Sequence, residues 1–247
     1  MSATETVWVR VGGGLESVPE RVRYGPADID FPPPGPTLEP LILNGRLVGW
    51  GARAGLGQAR KCAEMGIQIT AERRDHLLGR LGHKLRSSVL ALQESARQAA
   101  FGRTELLEGV FEQAQEVGRR AAALEAAAME PKDGARGVVL GAVLNLALPA
   151  VERNLPPGAA VVGSEPMLVE AFARARDWLD GDSLTIAAEP VGSWWRIHLA
   201  TSGHRKGQAV SEMGEPLLRV IIDLHLGGWL DVLPHGADIY LPAYRQP

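Results

Sequence analysis

Group transfer is the chemistry that this sequence's residue types best allow, and His83 is the residue to consider first. It lies in Arg80-Leu81-Gly82-His83-Lys84-Leu85-Arg86-Ser87-Ser88-Val89-Leu90-Ala91-Leu92. Leu77, Leu81, Leu85, Val89 and Leu92 recur every three or four residues, which makes one apolar helical stripe. His83 falls off that stripe, on a face shared with His76, Arg80 and Ser87, because residues three, four or seven apart stack on a helix. An imidazole on the wet side of a core-forming helix can act as a nucleophile toward a phosphoryl group. Arg80, Lys84 and Arg86 would attract such a group, or an acidic protein surface. The same spacing also fits an ordinary solvated histidine.

Other candidate chemistry is thinner. His198, His204, His225 and His235 make no metal-ligand spacing with one another or with Cys62, so no metal is assigned. Gly12-Gly13-Gly14 has no phosphate-loop lysine after it and reads as a turn. Trp194-Trp195 sits in a strand pattern that sends one ring inward and the other outward, so partial burial is expected in place of a stacking site. Arg73, Arg74, Arg80, Lys84 and Arg86 form a basic row that would suit DNA. Glu72, Asp75 and Glu94 interrupt it, which favours a solvated charged face.

Bulk properties agree. The net charge of -3 gives no drive toward nucleic acid or an anionic membrane. At 247 residues the chain holds one large domain or two small ones, and 45% hydrophobic with 22% charged residues is ordinary for a globular protein. A single cysteine excludes an internal disulfide and fits a reducing compartment. No run of about 18 apolar residues and no signal-peptide layout is present, so the expected location is the cytoplasm, with no membrane partner.

Three segments must position these residues. Residues 1–56 read as short and β-rich: a strand at 4–10, a glycine break, a stiff proline connector over 31–36, then two apolar runs around Asn44-Gly45, a hairpin signal because both turn residues take positive φ. Residues 57–131 read as a helical hairpin: a helix from about Gly57 to Ala100, a break at Phe101-Gly102-Arg103-Thr104 with Thr104 as N-cap, and a second helix carrying Leu107, Val110, Phe111, Ala114, Val117, Ala121 and Leu124 on one side. That apolar face is wider than one partner helix covers, so two hairpins are expected to pair as a homodimeric four-helix bundle. Residues 132–247 read as mixed α/β. A buried strand–helix piece at 138–148 is followed by a strand at 159–163 and a helix at 165–179. Strands at 183–188 and 194–200 come next, then a helix at 217–224 and a closing hairpin at 229–232 and 237–241. The fold class is α+β.

His83-Lys84-Leu85-Arg86-Ser87-Ser88-Val89 resembles the phosphoacceptor box of sensor histidine kinases, which runs histidine, acid, leucine, arginine, hydroxyl, proline, apolar. Residues 138–243 resemble that family's ATP-binding domain, chiefly through Gly214-Glu215-Pro216-Leu217-Leu218 with its following helix to Gly227-Gly228, and through the 234–242 hairpin. The 1–56 segment, a hairpin leading into a long helix, resembles the tail of a GAF-type sensor module and is expected to be a remnant of one. The resemblance implies a dimerisation and phosphotransfer bundle, a degenerate ATPase-like domain, and a response-regulator receiver domain or another signalling protein as partner.

The family's ATP chemistry needs an asparagine for Mg²⁺, an aspartate for the adenine amine and glycine loops against the phosphates. The resemblance puts Arg174 and Trp178 at the asparagine positions and Thr201 at the aspartate. Glu215-Pro216 occupies the phosphate loop, where it removes a backbone donor and adds negative charge. The segment between Ser202 and Gly214 is short for a nucleotide lid. Lys84 replaces the acid that orients the histidine and accepts its proton during attack, and it can do neither. The expectation is therefore a dimeric pseudokinase or adaptor with no cofactor, with Arg80, Lys84, Arg86 and Ser87 forming its partner surface around His83. The alternatives are a histidine phosphotransferase working through His83, an atypical active kinase, and a DNA-binding regulator.

Overall fold

A computed structural model describes residues 6–101, 103–128, 136–179, 183–202 and 214–244; the side chains at 104, 119, 122, 123, 126 and 127 fall outside the description. The chain divides into two compact units, one of residues 1–71 with 131–247, the other of residues 72–130.

The first unit begins with an antiparallel five-stranded sheet, β1 (Val7–Val11), β2 (Gly14–Val18), β3 (Arg23–Pro26), β4 (Glu39–Leu43) and β5 (Arg46–Gly51), in the order β3-β2-β1-β5-β4. Strict alternation in Val7-Trp8-Val9-Arg10-Val11 sends the valines to one face. There they pack with Leu41 and with Ala59, Cys62 and Ile69 of the long helix that follows, α1 (Leu56–Ala100). The opposite face buries Leu15, Ala27, Leu47 and Trp50. Asn44 and Gly45 take φ of 52° and 74°, as an Asn-Gly hairpin turn requires. At Gly66 an added Cβ would lie 2.0 Å from the Arg10 carbonyl, so a glycine here lets helix and strand backbones touch. Residues Thr4 and Glu5 of the expected first strand lie outside the described residues.

After α1 come a 3₁₀ turn (Thr104–Leu106) and α2 (Leu107–Ala128). The expected cap of Thr104 concerns a side chain outside the description. The α/β region follows: β6 (Arg136–Val139), α3 (Leu140–Ala147), β7 (Glu152–Asn154), β8 (Ala160–Gly163), α4 (Glu165–Leu179), β9 (Ser183–Val191), β10 (Trp194–Ser202), α5 (Gly214–Arg219) running into a π-helical turn (Val220–His225), β11 (Trp229–Leu233) and β12 (Gly236–Pro242). The sheet order is β11-β12-β10-β9-β7, with β7 parallel to β9 and the rest antiparallel; β6 and β8 pair separately. α4 buries Met167, Leu168, Ala171, Phe172, Ala175 and Leu179, spaced for one face, with Glu165 in the first turn and Arg176 in the last complementing the helix dipole. Each large side chain so buried stabilises by about 1.5–3 kcal/mol. Trp194 is buried and Trp195 half-buried. Among the described residues no helix is long and apolar enough to cross a membrane.

Candidate functional site

α1 supplies one candidate site. Leu77 and Leu81 are buried, and Leu85, Val89 and Leu92 half-buried, so the apolar stripe faces inward. His83, Arg80, Arg86 and Ser87 are exposed, as is His76 one helical repeat earlier, and Lys84 is half-buried. The Ser87 hydroxyl donates to the His83 carbonyl at 3.1 Å, and Ser88 donates to the Lys84 carbonyl at 3.0 Å. Such back-bonding by a hydroxyl loosens a helix locally.

Arg120 of α2 exploits this. Its Nη1 donates to the Lys84 carbonyl at 3.2 Å and to Ser88 Oγ at 2.5 Å, while its Nε holds Glu116 at 2.6 Å. A guanidinium therefore ties α2 to the turn of α1 just beyond His83. Sequence reasoning missed Arg120. The only available signal was Ser88, a hydroxyl where the resembled family has proline, and nothing in the spacing of α2 selects the arginine that meets it.

A separate candidate site, on the α/β region, is made by α4, β10 and α5. On α4, Arg174 is held by Glu170 at 2.7 Å. On β10, the Thr201 amide and hydroxyl both donate to the His235 carbonyl, at 3.0 and 3.3 Å. The first turn of α5 carries the Glu215 carboxylate, paired with Arg219 at 2.8 Å, and Arg219 also donates to the Leu230 carbonyl at 2.7 Å. Pro216 contributes no N–H there. An acidic side chain in a helix's first turn satisfies the dipole that would otherwise draw an anion. His204 and the short lid expected between Ser202 and Gly214 lie outside the described residues.

Elsewhere on the sheet, His198 Nδ1 lies 2.6 Å from Asp238 Oδ1. Burial raises the pKa of the neighbouring Tyr240 phenol, and the Asp238 charge adds to the rise. The remaining histidines, His225 and His235, sit apart in the π-helical turn and before β12. Among the described residues no three His, Cys, Asp or Glu side chains converge as metal ligands would.

No family model matches this chain, and neither does any curated protein. Solved structures do. Histidine kinase ThkA, solved in complex with response regulator protein TrrA, matches with a TM-score of 0.53 at 11% identity, over 97% of this chain and 79% of that one. The fold is the one these histidine kinases share. Acinetobacter baumannii histidine kinase AdeS gives a TM-score of 0.51 at 15% identity, over 66% of this chain and 98% of its own. The order of elements, a long helix followed by an α/β region with mixed sheets, is thus that of a histidine kinase-like α+β fold. At such identities the likeness extends to the fold and no further.

Proposed function

We propose that this chain is a cytoplasmic two-component-type signalling protein without a working ATP site. It acts as a dimeric pseudokinase adaptor that docks a response-regulator receiver domain, or another signalling protein, on the face of α1 around His83. Residues 57–131 are its dimerisation segment and residues 132–247 its ATPase-like segment, with 1–56 a sensor remnant.

The observation that carries this reading is the first turn of α5. In an ATP-binding kinase this turn must offer backbone N–H groups to phosphates. Here it offers the Glu215 carboxylate, already neutralised by Arg219, and Pro216 with no donor. The resemblance puts Arg174, ion-paired to Glu170, near a position where the family has a Mg²⁺-binding asparagine, and Thr201 spends its hydroxyl on the His235 carbonyl. These residues do not fit Mg·ATP. The histidine kinase fold supports a signalling role, and ThkA was solved with a response regulator. Dimerisation is supported by large apolar side chains left exposed on the hairpin: Leu90, Phe101, Leu107 and Phe111.

Calorimetric titration of the purified chain with Mg·ATP tests the reading. No saturable heat is expected, and micromolar binding refutes it. A phosphotransferase relaying phosphate through His83 is the second reading, favoured by the joint exposure of His83, Arg80, Arg86 and Ser87. Label passing from a phosphorylated receiver domain to this chain, and lost in His83→Ala, selects it.

A further inference from the structure

The glycine run Gly12-Gly13-Gly14, which has no role in the function above, is where the N-terminal sheet meets the α/β region. The Gly13 amide donates to the Asp223 carbonyl at 3.1 Å. This carbonyl lies in the π-helical turn. No side chain fits between them. An added Cβ would stand 2.3 Å from the Asp223 oxygen at Gly12, 1.9 Å from the Gly228 oxygen at Gly13, and 2.0 Å from the Trp229 ring at Gly14.

Charge fixes the same contact. Arg23 of β3 pairs with the Asp223 carboxylate at 3.0 Å, with side chains 21% and 7% exposed, and its guanidinium lies 4.0 Å from the Trp229 ring centre. At the neighbouring β9–β10 turn, Ser193 donates to the Asp28 carboxylate, and on β12 Tyr240 meets Phe31 edge-on at 6.1 Å. The strand that leads into this contact also seats the helix. β1 runs straight into Gly12, and its valines and the Arg10 carbonyl receive Cys62 and Gly66 of α1.

We propose that Gly12–Gly14 and Arg23 form a latch that fixes the ATPase-like region to the base of α1 through the N-terminal sheet, holding it in one orientation. In this arrangement the region is not carried by its chain connection to α2 alone. Residues 6–51 are then a brace for the kinase-like core, whatever nucleotide that core does or does not bind. The latch stands or falls separately from the pseudokinase reading.

The test uses the full chain with spin labels at Ile42→Cys on the N-terminal sheet and Glu152→Cys on the α/β region, both exposed. Excess unlabelled protein suppresses distances between copies, and Cys62, fully buried, stays unlabelled. Pulsed dipolar spectroscopy should give one narrow distance population in the parent. It should spread into a broad distribution in Gly13→Leu and in Arg23→Gln, with helical circular dichroism retained. A broad distribution in the parent, or an unchanged narrow one in the variants, overturns the latch. Where Gly13→Leu does not fold, Arg23→Gln and Asp223→Asn decide by the same criterion.

Discussion

Cys62 gives a quantitative check on how tightly α1 is sealed to the N-terminal sheet. Its side chain is fully buried against Val7, Val9 and Val11, and burial pushes the thiol from 9.0 up to about 11. Above pH ~9 the unfolded chain gives up this proton while the folded chain keeps it, so ionisation favours unfolding. The stability contributed is fully present below about pH 9 and is lost progressively as pH rises toward about 11. Two units at about 1.4 kcal/mol each bound the loss near 3 kcal/mol, of which about 2 kcal/mol is gone by pH ~10.5. Urea unfolding at pH ~8.5 and ~10.5, followed by tryptophan fluorescence from Trp8 and Trp50, measures it against Cys62→Ala. Tyr240 is raised too, but it titrates equally in both proteins and cancels. The gap between parent and variant should shrink by about 2 kcal/mol at the higher pH. Equal pH slopes in the two proteins would refute the reasoning, because the thiolate would then form in place and the seam between helix and sheet would be open to water.

Three further outcomes follow from the geometry. Arg120→Ala removes the donors to the Lys84 carbonyl and Ser88 hydroxyl and should cost about 1–2 kcal/mol, with faster amide exchange over residues 84–92; Arg120→Lys, lacking the planar fork, should recover only part. Leu107→Glu with Phe111→Glu places two charges on exposed apolar positions of the hairpin; if the proposed dimer forms there, light scattering should report half the parent's mass, and an unchanged mass counts against the bundle. Gly66→Ala drives a Cβ toward the Arg10 carbonyl and should lower the thermal midpoint of the first unit by several degrees, roughly 2–4 °C per kcal/mol of strain.

Elements with a strong internal period were legible in the sequence. The spacing predicts a helix over 165–179 and α4 spans Glu165–Leu179, because Met167, Leu168, Ala171, Phe172 and Ala175 can share a face only on a helix. The Asn44-Gly45 hairpin was equally plain, since positive φ at two successive positions leaves few residue choices. β2 and β3 were missed. Their sequences, Gly-Leu-Glu-Ser-Val and Arg-Tyr-Gly-Pro, have no alternating apolar face, and β2 buries Glu16 and Ser17. Burying polar groups in a strand is favourable only when partners from elsewhere receive them, and such partners cannot be seen in a local window.

The same physical limit applies at the candidate surface around His83. Arg80, His83 and Ser87 share a face by helical geometry alone, so their common exposure followed from spacing. Arg120 reaches the same turn from 32 and more residues away, and Asp223 meets Gly13 across most of the chain. Contacts of that kind depend on how elements pack. They leave a trace only in residues that look wrong for their neighbourhood, such as a serine in place of a proline or three consecutive glycines with no phosphate to bind. In this chain both anomalies mark places where one element grips another, so a broken local rule pointed to tertiary structure before it pointed to catalysis.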